Sequence, residues 1–367
     1  MLALGALGIG GAGWYFAGVI GADGLRVEYE PDPYTFEVVE VRSGTIVLRD
    51  IPPGDAADNL RHASNWGIEA EGGYGRLAAI VADNGDTVER VFELMTGAIV
   101  AGDQTNLSRS VFPQDPLTAH GLAHEEITLE GELGPLPTWL VPGDSDTWAI
   151  FVHGRRGTRT EALRLLPVFA DLGFPSLVIT YRNDEGLARD PSGMDRYGQT
   201  EWRDLETAVE HALANGAEDV VLVGYSMGGA MVVNFMYESE FSDRVTAVVL
   251  DAPMLDFGRT VDLGAEERSV PGIITWTAKR LATLRYGVDW AALNYLDRVD
   301  ELDVPVLLFH GDEDTRVPQG ISDDFSAARP DIVQYEEFPG AQHVGSWNVD
   351  QARYEETVRV FLARTLR

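Results

Sequence analysis

From residue 125 to the C-terminus, short apolar runs alternate with segments of helical spacing. Runs at 148–152, 177–180, 220–223, 245–250, 305–309 and from 333 onward read as strands, rich in Val, Leu, Ile and Phe. Between them lie predicted helices at 159–172, with Leu163, Leu166 and Phe169 near helical spacing, and at 200–214, with Thr200 as N-cap. Helical matter is also expected around 270–285, and a last amphipathic helix at 351–366. Residues 127–141 read as an opening antiparallel hairpin. Strands that are apolar on both faces and separated by helices imply a mostly parallel sheet covered on both sides.

Residues 25–119 follow another pattern. Short alternating runs at 36–41, 45–48, 77–82 and 87–92 are separated by Arg-Ser-Gly, Ile-Pro-Pro-Gly, Glu-Gly-Gly and Asn-Gly-Asp. Those are turn signals between strands, so a small β-rich accessory region is expected, with no constellation of catalytic residues in it.

The first 22 residues carry no charged side chain. About 20 apolar residues can cross a bilayer as a helix, and the glycines here are tolerated in such helices. The segment 1–22 is therefore expected to be a membrane anchor, with a cleaved signal peptide or a buried helix of the domain as alternatives. The acidic flank from Asp23 favours a single-pass arrangement with the catalytic part outside the cytoplasm; a signal peptide would make the protein secreted instead. The expected organisation is 1–22 anchor, 25–119 accessory region and 125–367 main domain.

Charge narrows the partners. The net charge is −31, and Lys279 is the sole lysine. A surface this acidic repels nucleic acid and anionic lipid headgroups, and nucleic acid is excluded as a partner. With no cysteine in the chain, neither a disulfide nor a catalytic thiol is available. Oligomeric state is not encoded in any pattern seen here.

The chemistry concentrates at four strand ends. Val221-Leu-Val-Gly224-Tyr-Ser226-Met227-Gly228 runs from an apolar strand into a helix-like segment. A serine on so tight a strand-to-helix turn needs minimal side chains two residues away on each side, which Gly224 and Gly228 provide. Downstream, His310-Gly-Asp-Glu-Asp314 offers Asp312, Glu313 and Asp314 as candidate acids, and His343 is the sole histidine beyond them. A fourth strand ends in His153-Gly154-Arg155-Arg156. His153 reads as structural; the two arginines could be solvated or could hold an anionic group of a substrate. Asp251, at the end of another strand, reads as a loop-anchoring carboxylate.

His153-Gly154, Gly224-Tyr-Ser-Met-Gly228, Asp251-Ala-Pro253, His310-Gly-x-x-Asp314-x-x-Val-Pro318 and His343 together resemble an α/β-hydrolase of the serine aminopeptidase/prolyl oligopeptidase-like branch. The stretch from Tyr181 to Trp202 further resembles a bacterial group carrying an N-terminal membrane anchor. The resemblance implies the α/β-hydrolase fold and a Ser226–His343–Asp314 triad, since serine, acid, histidine is that fold's chain order. It also implies an oxyanion hole from the backbone N–H groups of Arg155 and Met227. The Arg155-Arg156 pair departs from the small or polar residues usual there. The implied activity is a serine hydrolase acting through an acyl-enzyme on an ester, thioester or amide, with no cofactor and no metal. A carboxylic-ester hydrolase is favoured because small acyl esters need less binding apparatus. A peptidase, an acyltransferase, or a non-catalytic binding protein retaining the fold are the alternatives. The substrate is then a small acyl compound or a peptide. Met254, Leu255, Phe257, Ile273, Ile274 and Trp276 are candidates for an acyl pocket or for core.

Overall fold

The computed structural model describes residues 2–29, 33–51 and 57–366. The first half holds six strands, β1 (Phe36–Arg42), β2 (Thr45–Asp50), β3 (Trp66–Ala70), β4 (Gly73–Asp83), β5 (Val88–Gly97) and β6 (Gln104–Ser108). They close into a barrel in the order β1-β2-β5-β4-β3-β6, with β6 pairing back onto β1. Alternate side chains, among them Phe36, Val38, Ile46, Leu48, Ile68 and Leu77, fill its interior. Closure leaves no strand edge exposed, so six short strands can persist beside a larger domain. Sequence patterning misses β6, because Gln104-Thr-Asn-Leu-Ser108 points little apolar surface anywhere. Arg90 is fully buried, and its guanidinium donates to the carbonyls of Leu60, His62, Ser64 and Ala78. That fan of bonds fixes the course of the 60–65 segment.

The second half is an eight-stranded sheet. Its strands are β7 (Glu125–Gly131), β8 (Gly134–Val141), β9 (Thr147–Val152), β10 (Ser176–Val178), β11 (Asp219–Tyr225), β12 (Val245–Asp251), β13 (Val306–Gly311) and β14 (Val333–Phe338). The order is β14-β13-β12-β11-β9-β10-β8-β7. All neighbours are parallel except the β7–β8 hairpin and its junction with β10. Two apolar clusters cover the faces. One lies under the helices Trp202–Ala214 and Met227–Glu238, the other under 163–169 and Gln351–Thr365. The expected helix at 159–172 is instead a 3-10 turn, Arg159–Arg164, followed by a short helix, Leu166–Asp171, because Pro167 cannot donate within a continuous helix. Thr200 does not cap its helix; its hydroxyl donates to Asp190.

The N-terminal segment differs from expectation. Helix α1 (Leu2–Val19) widens into a π-turn at Ile20–Leu25 and lies along helix α2 (Gly272–Tyr286). A Cβ on Gly13 would sit 2.5 Å from Cγ2 of Thr277, and one on Gly21 would overlap the Tyr286 ring. The glycines therefore permit close approach to another helix. Arg285 donates to the carbonyl of Trp14 at 3.0 Å and covers its indole. Among the described residues no helix is long and apolar enough to cross a membrane. The expectation of a spanning helix over 1–22 thus finds no support, and Met1 lies outside the described residues. At the end of the turn, Leu25 joins an apolar cluster of the eight-stranded sheet, and Arg26 pairs with Met194.

Candidate active site

The four candidate segments meet at the carboxyl ends of β9, β11, β13 and β14, where open parallel sheets place their ligands. Ser226 lies between β11 and the helix Met227–Glu238 with φ 50° and ψ −114°, a strained conformation for a side chain with a Cβ. The surroundings hold it there. Its N–H donates to the Asp251 carbonyl at 3.0 Å, and its own carbonyl accepts from Met254 N–H at 3.0 Å. A Cβ on Gly224 would lie 2.8 Å from the Gly228 carbonyl, and one on Gly228 would overlap the Val152 carbonyl. Only glycine fits at either position.

Ser226 Oγ is 2.9 Å from His343 Nε2, and His343 Nδ1 is 2.7 Å from Asp314 Oδ2. The Asp314 side chain is fully buried. Its Oδ1 accepts from the N–H groups of Arg316 and Val317 at 2.8 and 2.9 Å. Burial alone would raise its pKa, but His343 and His310 outweigh that and hold the carboxyl well below the usual range. His310 Nε2 lies 3.1 Å from the same Oδ2, while its Nδ1 meets Ser322 Oγ at 2.7 Å. His310 was within a motif the sequence offered, yet its contact with Asp314 was not legible there. The neighbouring acids serve elsewhere: Asp312 accepts from Gly340 N–H, and Glu313 reaches His62 of the barrel. Burial lowers the His343 pKa, with Asp314 opposing it, so the ring is poised as a neutral base.

Asp251 is also buried, but the carboxylate bonded to His343 is that of Asp314; Asp251 Oδ1 accepts from Ser346 Oγ at 3.3 Å. Burial pushes its pKa up to about 7. A raised carboxyl pKa means the folded state holds a proton that the unfolded chain releases from about pH 4 upward, so stability declines from there to about pH 7. Asp251→Asn is therefore expected to retain kcat within a few-fold and to lose less stability between pH 5 and pH 8 than wild type, about 1 kcal/mol or more in its favour; denaturant melts at the two pH values check this.

His153 is engaged on all sides. Nε2 meets Asp184 at 3.0 Å, Nδ1 meets the Gly154 carbonyl at 2.9 Å, and the ring stacks on Tyr181. The Tyr181 hydroxyl donates to the carbonyls of His153 and Gly154. These bonds shape the turn that carries Arg155. The Arg155 guanidinium binds Asp195 Oδ2 at 2.6 Å and the carbonyls of Asp23 and Arg26. It clasps the segment after α1, which is not where a substrate anion would be met. Arg156, at φ 56°, lines a narrow cleft with Met227, Tyr181, Asp184 and Val27. Met227 opens its helix, so its N–H has no acceptor one turn earlier in that helix. Of the acyl-pocket candidates, Met254, Leu255 and Phe257 are core, whereas Ile273 and Trp276 face outward.

A buried strut, invisible in the sequence, joins the two sides of the site. Glu161 Oε2 accepts from Gly154 N–H at 2.8 Å. Its other oxygen meets Arg164, whose Nη1 donates to the Val344 carbonyl at 2.7 Å and to Asn348 Oδ1 at 2.9 Å. Asn348 Nδ2 in turn donates to the carbonyls of Asn65 and Arg109, next to the barrel. Arg164 is 2% exposed, so its fork cannot be replaced by water. Arg164→Lys keeps the charge but cannot bond Val344, Asn348 and Glu161 together. It is expected to lower kcat roughly 10²-fold with KM little changed, because the histidine loop shifts relative to Ser226. Steady-state kinetics on folded protein check this; an unchanged kcat removes the strut's role.

A family model described as the prolyl oligopeptidase family matches residues 164–367, a stretch containing Ser226, Asp314 and His343. Among solved structures, an esterase of Pyrococcus furiosus superposes with a TM-score of 0.56 at 18% identity, covering 70% of this chain and 98% of that one. A puromycin-hydrolyzing peptidase of Mycobacterium tuberculosis gives 0.56 at 17% identity, covering 89% of this chain and 47% of that one. At such identities these likenesses speak for the α/β-hydrolase fold alone. No curated protein matches the sequence. With the family model covering more than half of its length, this chain is a serine hydrolase and belongs to the prolyl oligopeptidase family.

Proposed function

We propose that the enzyme cleaves carboxylic esters of small acyl groups through an acyl-enzyme on Ser226. The observation that carries this reading is the bonded chain Asp314–His343–Ser226, at 2.7 and 2.9 Å. His343 Nε2 takes the hydroxyl proton as Oγ attacks the carbonyl carbon. Asp314 keeps the proton on Nδ1 and stabilises the imidazolium that forms. The N–H groups of Arg155 and Met227 receive the oxyanion. His343 returns the proton to the leaving alkoxide, and then activates water to release the acid. Peptide cleavage is a second reading, favoured by the family itself, and uses the same residues.

A fluorophosphonate probe, which marks an activated serine, should label the protein once. Competition between p-nitrophenyl esters of increasing chain length and aminoacyl amides then separates esterase from peptidase; faster turnover of the amides would reverse the preference stated here.

The pH profile follows from His343. The base works only when neutral, and burial lowers its pKa. The acid limb of kcat/KM is therefore expected below about pH 6.5, the ordinary histidine value, with a plateau by neutrality. A limb above that value would show that Asp314 outweighs burial.

A further inference from the structure

Helix α2 presents the wrong face to water. Its inner residues, Thr275, Ala278 and Ala282, are small, whereas Ile273, Trp276 and Leu284 are 55, 57 and 81% exposed. With Arg280, these three fall on a single stripe at helical spacing, opposite the buried one. Beside them α1 exposes Ile9, Trp14 and Tyr15. An ordinary surface helix turns its large apolar residues inward. Large apolar side chains gathered on one surface mark a place where something docks.

Charge indicates what docks. The chain carries −31, yet α1 has no ionisable side chain beyond Tyr15, and α2 has Lys279, Arg280 and Arg285 with no carboxylate. Lys279 pairs with Asp262, and Arg285 is held by Trp14. Arg280 is exposed and lies over the Trp276 indole. A second copy of the chain is a poor occupant, because a two-fold contact between these faces would bury two Arg280 side chains with no carboxylate on α1 or α2 to pair them. Tryptophan, long aliphatic residues and snorkelling arginine suit the boundary between lipid headgroups and acyl chains. We propose that the outer stripe of α2, flanked by Trp14 and Tyr15, rests on an anionic bilayer surface, with the helix lying in the plane of the headgroups. Ile273, Trp276 and Leu284 enter the acyl boundary, and Arg280 meets lipid phosphate. The remaining acidic surface is repelled, which fixes one orientation, and screening confines that repulsion to within about 8 Å at physiological salt. This proposal is independent of the substrate assigned above.

The cysteine-free chain makes the test clean. An environment-sensitive fluorophore is placed on the full-length protein at Leu284→Cys, and at Leu94→Cys on the barrel as a control. With vesicles of phosphatidylglycerol and phosphatidylcholine, the first probe should shift to the blue and be quenched by a lipid-borne spin label, and the second should not respond. Trp276→Ser combined with Arg280→Glu should reduce the bound fraction roughly tenfold or more. A Leu284→Cys probe that stays in water overturns the proposal. So does equal binding to phosphatidylcholine alone, or a blue shift without vesicles that grows with protein concentration, the sign of a second copy. Attachment that resists alkaline carbonate and ignores the double substitution assigns it to α1 as a spanning helix, and likewise overturns it.

Discussion

Replacing Ser226 by alanine is expected to abolish fluorophosphonate labelling and to lower kcat by roughly 10⁴- to 10⁶-fold. The loss is that large because the attacking atom itself is removed; what remains is catalysis by binding and by the oxyanion donors. Stability should change by less than about 1 kcal/mol. The strained φ of 50° is held by backbone bonds to Asp251 and Met254, which the hydroxyl does not touch. Turnover within tenfold of wild type in protein free of contaminating esterase would remove the serine mechanism.

Asp314→Asn should cost roughly 10³- to 10⁴-fold in kcat. An asparagine amide facing Nδ1 reverses the bond, so the imidazole carries its proton on Nε2 and cannot accept one from Ser226. Asp251→Asn leaves His343 untouched, and if it proves equally damaging in folded protein, the acid has been misassigned. A linked effect appears in acid. The folded-state pKa of Asp314 is depressed, so the carboxylate adds stability that is fully present above about pH 4 and lost as pH falls below it. The variant should lack that share of the acid sensitivity, readable in urea melts at pH 5 and pH 3.

The parts of this molecule legible in the sequence are those with local rules. Strands β11 and β13 are uninterrupted apolar runs, and the turns after them are constrained by Gly224, Gly228 and the His310-Gly311 pair. Such features announce themselves within ten residues. For helix α1, apolar composition alone cannot distinguish lipid from another helix, and the contacts with Thr277 and Tyr286 lie more than 250 positions away in the chain. Glu161, Arg164 and Asn348 were silent for the same reason. Each is an ordinary polar residue until the fold sets it against backbone groups of distant segments: the Gly154 N–H for Glu161, and the carbonyls of Val344, Asn65 and Arg109 for Arg164 and Asn348. The closed barrel was half visible: its turns were plain, but closure depends on β6, whose register with β1 and β3 no alternation records.

The histidine loop hangs between two separately built cores. Ser226 and Asp314 are seated on the sheet, while the loop bearing His343 is tied through Asn348 and Gln342 to Asn65, Arg109 and Asn59 on the barrel side. The barrel's own apolar cluster is far smaller than the two that sandwich the sheet. On heating, the smaller unit is the one to open first. Hydrolase activity should then fade several degrees before the sheet melts, and return on cooling as long as the sheet has not followed. The barrel, a region that contributes no reacting atom, is then expected to limit the temperature at which the site stays assembled.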